Sequence, residues 1–360
     1  MFLNKIILTN FRNYEKIELN FNNYVNIFIG NNAQGKTNIL ESIYFLSLTK
    51  SHRCLKDLNL IKNDCIFSKI KADILKDNIK STYEILLNKE GKRVSINNKI
   101  IKKISDYVSN INTIMFCPDD LEIIKGSPSR RRSFLNIEIG QFDNKYLKVL
   151  NEYNKILKNR NEMLKSTKFD QTYFDILTDK LIEKNIEIFN FRNNFIKELN
   201  KYLPVIYKKI TKNENIKISY DSFITNKDNI DSIRKKYKSI YENEKFQKTT
   251  LIGIHRDDFS IFIDGKKIND FGSQGQHRIA VLCLKLSEIQ IYKKMNKKPI
   301  ILLDDIFSEL DQNKKNNIVK HFDKDMQIFI TTTDLSNMNK DLKKIASIFK
   351  VKEGKITRGE

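Results

Sequence analysis

The amino-acid sequence predicts an α/β protein in which a mixed-sheet lobe is split by an inserted, mostly helical lobe. Three observations carry this. The densely apolar segment Tyr24 to Ile29 runs directly into the glycine-bearing stretch Gly30 to Thr37, and helical apolar spacing follows. From about Asp119 to Leu203 the apolar period lengthens from two to between three and four, and after Asn213 it shortens again. Pro299 to Leu303 is a dense apolar run that ends in two carboxylates, Asp304 and Asp305.

The elements follow in order. Lys5 to Phe11 and Lys16 to Phe21 alternate apolar and polar residues, as an antiparallel hairpin with one buried face should. Tyr24 to Ile29 suits a central strand. Ile39, Leu40, Ile43, Tyr44, Leu46 and Leu48 keep helical spacing. Strands are expected at Ser81 to Leu87, Arg93 to Asn97 and Thr113 to Cys117, with a tight turn at Asn97-Asn98. Two amphipathic helices follow, each about 25 to 30 residues and roughly 40 Å long, broken at Lys165 to Gln171. They read as a packed hairpin, since the heptads are too few and too imperfect for a long coiled coil. Strands at Ile216 to Tyr220, Thr249 to Ile254 and Phe259 to Ile263 then precede a helix from Gln274 to Met295. The last strands are Pro299 to Leu303, Gln327 to Thr332, and Phe349 to Thr357 with a turn at Gly354. The expected organisation is therefore lobe I over 1–118, helical lobe II over 119–212, and the second half of lobe I over 213–360.

Composition narrows the function classes. Sixty-five Lys and Arg against 44 Asp and Glu leave a formal charge of +21, which favours a polyanionic partner, nucleic acid before membrane. A general bias toward Lys, Asn and Ile accounts for part of that excess. The sequence has no run of about 18 apolar residues to span a bilayer. The alternating N-terminus lacks a signal-peptide core, so a cytoplasmic protein is expected. Cys54, Cys65, Cys117 and Cys283 lack C-x-x-C spacing and read as free thiols.

Gly30-Asn31-Asn32-Ala33-Gln34-Gly35-Lys36-Thr37 fits G-x-x-x-x-G-K-[ST]. The glycines let backbone N–H groups turn toward phosphate oxygens, and the following helix points its positive end at the same anion. Lys36 is expected to reach the β- and γ-phosphates of ATP, and the Thr37 hydroxyl to ligate Mg²⁺. Asp304 emerges where parallel sheets bind ligands and would hold the metal, and Asp305 would polarise the attacking water. Ser273-Gln274-Gly275-Gln276 opens a helix and offers a second anion site.

The order of phosphate loop, inserted lobe, S-x-G-Q, acidic strand and then Ser308-Glu309-Leu310-Asp311 resembles the ABC-type ATPase head, the last stretch being similar to its D-loop. The resemblance implies paired subunits, with Ser273, Gly275, Gln276 and Asp311 acting in trans on nucleotide held by the other copy. Pro118 to Asn136, which includes Arg130-Arg131-Arg132, resembles the hallmark segment of the RecF family. So do Asn10 to Tyr14, Ser51-His52-Arg53 and His255-Arg256-Asp257-Asp258. This likeness runs the length of the chain. It implies an ATP-dependent DNA-binding protein without long coiled-coil arms and with weak, DNA-stimulated ATPase activity. Such a protein acts at single-stranded, gapped or junction DNA in recombinational repair, replication and the SOS response, beside RecO- and RecR-type mediators. By the same analogy Arg12 and Asn13 either touch the nucleotide or serve packing and turn formation. Arg130, Arg131 and Arg132 either contact DNA or pair with Asp119, Asp120 and Glu122.

Some positions depart from the pattern. Ile254 stands where the family usually has Pro, no clear Q-loop glutamine is present, and Thr331-Thr332-Thr333 occupies the place of the switch histidine. Slow hydrolysis fits those absences. Two rival readings are a transporter ATPase subunit, which would cofractionate with membranes, and an ABC-type ATPase associated with a nuclease, which would need a second acidic metal cluster.

Overall fold

The structure is a computed structural model and describes every residue except 23, 214, 307–317, 319–320, 336–339 and 360. Contacts divide the chain into two compact units. One comprises Met1–Asp120, Lys209–Lys212 and Leu282–Glu360, and the other Leu121–Lys208 and Asn213–Val281.

The first unit opens with β1 (Phe2–Phe11) and β2 (Tyr14–Asn20), a hairpin in which Ile6 faces Leu19 and Leu8 faces Ile17. Leu3, Ile6, Leu8 and Phe11 are buried, as the alternation predicts. Next come β3 (Val25–Ile29), α1 (Lys36–Leu48), β4 (Phe67–Lys76), β5 (Ile79–Asn88), β6 (Gly91–Ile96), β7 (Lys99–Ile100), α2 (Ile104–Tyr107) and β8 (Thr113–Phe116). One sheet is antiparallel, in the order β2-β1-β4-β5-β6-β7. β4 is absent from the sequence reading yet bridges the N-terminal hairpin to the rest of that sheet. The turn expected at Asn97-Asn98 forms, with both residues at positive φ.

The second unit begins with α3 (Glu122–Lys125), α4 (Pro128–Phe142), α5 (Asn144–Lys165) and α6 (Gln171–Thr211). α5 and α6 pack antiparallel: Tyr146 meets Arg192, Glu152 meets Lys184, and Arg160 meets Thr178. α6 has 41 residues, roughly 60 Å, and so exceeds the expected length. The sequence reading ends the helical stretch at Leu203, before Pro204, because proline removes a helical hydrogen bond. The helix continues because Leu203, Ile206 and Tyr207 extend its buried face past the proline. β9 (Ile216–Asp221), α7 (Ile230–Ser239), α8 (Tyr241–Gln247), β10 (Asp258–Ile263), β11 (Lys266–Lys267) and α9 (Ile268–Phe271) follow. The strands form their own sheet, β11-β10-β9. Residues 213–281, expected in the second half of lobe I, thus lie in the same compact unit as the helices. The strand expected at Thr249 to Ile254 is a loop, held by side chains of α5, α6 and α8 instead of a neighbouring strand.

α10 (Gln274–Lys294) leads back to the first unit, where β12 (Ile300–Asp304), β13 (Ile328–Thr332), β14 (Ala346–Lys352) and β15 (Lys355–Arg358) complete a sheet ordered β15-β14-β3-β13-β12-β8. All its pairings are parallel except β14 with β15. Its middle strands bury Ile27, Ile301, Leu302, Phe329 and Ile330 completely. α1 contacts β12 and β13 of this sheet and β5 of the antiparallel one. Contact on both sides explains why nearly every residue of α1 is buried.

Candidate nucleotide site

The site grows from the carboxyl end of β3. Gly30 lies so close to the Val351 carbonyl that a Cβ could not be accommodated. Gly35 has φ 109°, and a Cβ there would sit 2.8 Å from the Tyr14 hydroxyl. These two contacts, with the Tyr14 hydroxyl donating to the Gly35 carbonyl at 3.0 Å, curl the loop and start α1 at Lys36. Lys36 Nζ is buried in that curl, donating to the carbonyls of Gly30 (2.6 Å) and Asn31 (2.8 Å). Burial lowers its pKa against the opposing pull of Asp305 and Asp304. Gln34 Oε1 accepts the Glu353 N–H at 2.6 Å, which ties the loop to the β14–β15 turn. Asn31, Asn32 and Ala33 are exposed.

The acidic end of β12 faces this loop. Asp304 Oδ1 accepts from the Thr37 hydroxyl at 2.9 Å and from the Thr331 hydroxyl at 2.7 Å. Burial raises the Asp304 pKa, and those two bonds oppose the rise. Thr331 Oγ1 also accepts the Asp305 N–H at 2.9 Å, and Asp305 has φ 52°. Thr331 thus takes the histidine's place in the chain and fixes both acids. The resulting cleft, about 290 Å³, is lined by Asn32, Ala33 and Gly35 of the loop and by the first turn of α1, together with Arg53, Asp304, Asp305 and Thr331.

Arg53 is a site residue that the sequence reading did not assign. It lies five residues past α1, and its Nη1 donates to Asn38 Oδ1 at 3.0 Å. Its only sequence signal is its place in Ser51-His52-Arg53. Beneath it Glu41, fully buried, accepts from Arg12 Nε (2.8 Å) and Nη2 (2.6 Å) and from the Ser51 hydroxyl (2.6 Å). Burial alone would raise the Glu41 pKa, but the bonds from Arg12 and Ser51 bring it below the ordinary value. Arg12 also donates to the Asn59 carbonyl and does not line the cleft. Its guanidinium is engaged here by Glu41 and the Asn59 carbonyl. Asn13 receives a bond from Asn38 Nδ2 at 2.8 Å, beside the loop.

In the second unit Ser273, Gly275 and Gln276 are exposed at the start of α10. Ser273 N–H donates to Gln276 Oε1 (2.8 Å) and Gln276 N–H to Ser273 Oγ (3.3 Å), a reciprocal cap. Gly275 faces open space, its nearest neighbour being Ser273 Oγ at 3.9 Å from a built Cβ. Asp311 and the rest of Ser308 to Asp311 lie outside the described residues.

The arginine triplet needs a correction. Arg130 is exposed, but Arg131 is buried in a bidentate pair with Asp258 (2.6 and 2.9 Å) and caps the Gly126 carbonyl. Arg132 donates to the Asp257 carbonyl at 2.9 Å. The pairing with Asp119, Asp120 or Glu122 gives way to one with the His255 to Asp258 segment, more than a hundred residues on. Arg131 is thereby removed as a surface DNA contact. Asp120 Oδ2 accepts the Cys117 N–H at 2.8 Å and burial raises its pKa, while Asp119 is exposed.

A curled glycine loop on a central parallel strand, an acid pair on the next strand but one and an inserted lobe ending in an S-x-G-Q cap define a P-loop ATPase head of the ABC/SMC type. Residues 2–357 match the RecF/RecN/SMC N terminal domain. The chain belongs to the RecF family. It is 39% identical to a DNA replication and repair protein RecF from Oenococcus oeni, with 100% of each chain covered, and 41% identical to one from an Exiguobacterium species, with 99% of each covered. A solved structure of the recombination mediator protein RecF with ATP, from the RecFOR pathway, superposes with a TM-score of 0.92 at 33% identity, covering 100% of this chain and 98% of that one. An Smc head bound to the C-winged helix domain of ScpA shares the fold at a TM-score of 0.56 and 15% identity, covering 100% of this chain and 98% of that one. Among the described residues no group of three or more His, Cys, Asp or Glu could hold a metal ion, and no helix is long and apolar enough to cross a membrane.

Proposed function

We propose that this chain is an ATP-dependent DNA-binding protein of the RecF type, acting in recombinational repair, replication and the SOS response. The observation that carries it is the convergence of Lys36, Thr37, Asp304 and Thr331 on one cleft at the mouth of the phosphate loop. The loop N–H groups and the α1 N-terminus receive the phosphates, and Lys36 offsets their charge. Thr37 and Asp304, already 2.9 Å apart, would be the oxygen donors for Mg²⁺, which would supply positive charge to screen the phosphates. Arg53 faces the same cleft and supplies a second cation for the phosphates. Asp305 orients water, and Thr331, which has no basic nitrogen to offer, leaves turnover slow.

Two copies close around ATP, with Ser273, Gly275, Gln276 and Asp311 of one completing the site of the other. The open space at Gly275 supports this: glycine in an exposed first helical turn lowers helix propensity, and no neighbour among the described residues requires its small size. DNA and RecO- and RecR-type mediators are the partners, consistent with the charge of +21. The chemistry is a weak ATPase whose hydrolysis opens the pair. No observation favours the transporter or nuclease readings.

Sedimentation with and without ATP and gapped DNA tests the reading, using wild-type, Lys36→Met and Asp305→Asn proteins. Wild type and Asp305→Asn should form an ATP-linked dimer, and Lys36→Met should bind no nucleotide. An ATP-saturated protein that stays monomeric on DNA would remove the trans role of Ser273.

A further inference from the structure

The loop between α8 and β10 is held with unusual completeness. Thr250 receives Arg160 Nη1 (2.7 Å), and both its N–H and hydroxyl donate to Asn161 Oδ1 (2.7 Å each). Leu251 N–H donates to Glu244 (2.9 Å), Ile254 N–H to Asn185 (2.9 Å), and the Ile254 carbonyl accepts from Arg192 (2.7 Å). Arg160, Arg192, Asn185 and Glu244 are each almost fully buried, so this cradle is set into the body of the unit. Gly253 has φ 141°, and a Cβ there would lie 2.7 Å from the Tyr153 hydroxyl. The backbone therefore has one conformation at a site that admits one residue type.

The charges on the loop are sorted. Asp257 turns inward to the Tyr220 hydroxyl (2.5 Å), and Asp258 turns to Arg131. The His255 ring is bonded to the Tyr153 hydroxyl (2.6 Å) and the Thr250 carbonyl (3.3 Å), and burial lowers its pKa to about 4. Arg256 is exposed, and among the described residues its side chain makes no hydrogen bond or ion pair. Only its backbone is tied, N–H to the Gly253 carbonyl at 2.8 Å. Arg132 donates to the Asp257 carbonyl next along the chain. Burial lowers the Arg132 pKa and Arg192 lowers it further, while Asp258 and Asp257 oppose the fall and Arg256 adds a smaller push down.

We infer that Arg256, presented by this cradled loop beside Arg132, is a phosphate-binding site. With the Asp257 carboxylate turned to Tyr220 and the Asp258 carboxylate engaged by Arg131, Arg256 and Arg132 on this segment suit a phosphate, which can accept forked hydrogen bonds from both. A solvated surface arginine needs no such scaffold. The phosphate comes from a DNA backbone or from nucleotide held by a second copy. The choice of ligand rests on the function proposed above; the site itself rests on the loop.

The experiment compares wild type, Arg256→Gln and Arg256→Lys. Binding of a labelled single strand and a gapped duplex is measured over a salt series without nucleotide, and ATP-linked dimerisation by sedimentation. Thermal unfolding should be unchanged, because the side chain has no partner to lose. A roughly five-fold loss of DNA affinity in Arg256→Gln, a salt slope shallower by about 0.9 on duplex and partial recovery in Arg256→Lys assign the site to DNA. Loss of the ATP-linked dimer with unchanged DNA binding assigns it to nucleotide on the second copy. Retention of both by Arg256→Gln overturns the site alone. A wild-type protein that shows neither DNA binding nor an ATP-linked dimer overturns the site together with the proposed function.

Discussion

Thr37 Oγ1 and Asp304 Oδ1 are 2.9 Å apart although 267 residues separate them in the chain. The contact joins the phosphate loop to the acidic strand, and it makes the proposed metal site testable. Asp304→Asn keeps the hydrogen bond from Thr37 and removes the anionic donor. ATP affinity of the wild type should fall at least about ten-fold when Mg²⁺ is chelated. In Asp304→Asn the affinity with and without chelator should coincide near the chelated value. Isothermal titration calorimetry reads both, and an Asn variant that still responds to chelator would place the metal elsewhere.

Glu41 anchors Arg12 and Ser51 beneath Arg53. Glu41→Gln should cost on the order of 2 kcal/mol in urea unfolding, because a charge-assisted pair is lost and Arg12 is left without its anion. The pH dependence has a definite sign. The folded carboxyl titrates below its unfolded value, so its contribution is present above about pH 4.3 and is lost as pH falls through the folded pKa. The Gln variant should lack that component of acid destabilisation.

Two histidines act in a different window. Burial pushes His52 and His255 down to about 4. Between that value and about 6.5 the unfolded chain binds protons that the folded one does not, so stability should fall as pH drops from about 6.5 toward 4. His255→Gln should flatten part of the slope in chemical denaturation across that range. A slope equal to wild type would show that His255 titrates alike in both states.

Arg131 and Asp258 should behave as an interior pair. Either alanine substitution should cost about 2–3 kcal/mol, and the double-mutant cycle should show coupling between them. The salt dependence of DNA binding, measured on whatever folded fraction remains, should keep the wild-type slope. A slope shallower by about one in Arg131→Ala would return Arg131 to the list of phosphate contacts.

Elements whose signal is local could be read from the sequence. The loop Gly30 to Thr37, the strand ending at Asp304 and the cap at Ser273 each carry residue types that only a few backbone geometries tolerate. β4 was not legible, because Ser68 and Ala72 dilute the apolar face of Ile70 and Ile74 while Phe67 and Leu75 blur the polar one. Thr249 to Ile254 read as a strand by composition. Its backbone partners prove to be buried side chains of three helices, which no local pattern announces. Arg12 and Arg131 show the same limit. Each is a surface cation by sequence, and each is claimed by a carboxylate, Glu41 or Asp258, on a distant element. Arg53 stood within the family-like Ser51-His52-Arg53, but that tripeptide does not say which of its side chains turns to the cleft.

The parallel sheet has a consequence for how the protein is made. β3 is flanked by β13 and β14, so Val25 waits for Ile328 and Ala346. About 300 residues separate them, which at roughly 5–20 residues per second is some 15–60 seconds of translation. Throughout that interval the nascent chain carries an unpaired apolar strand beside a loop that cannot yet hold a nucleotide. The cleft between the loop after β3 and the acids of β12 can therefore assemble only after β12, β13 and β14 have emerged, and an apolar strand left unpaired that long is open to aggregation.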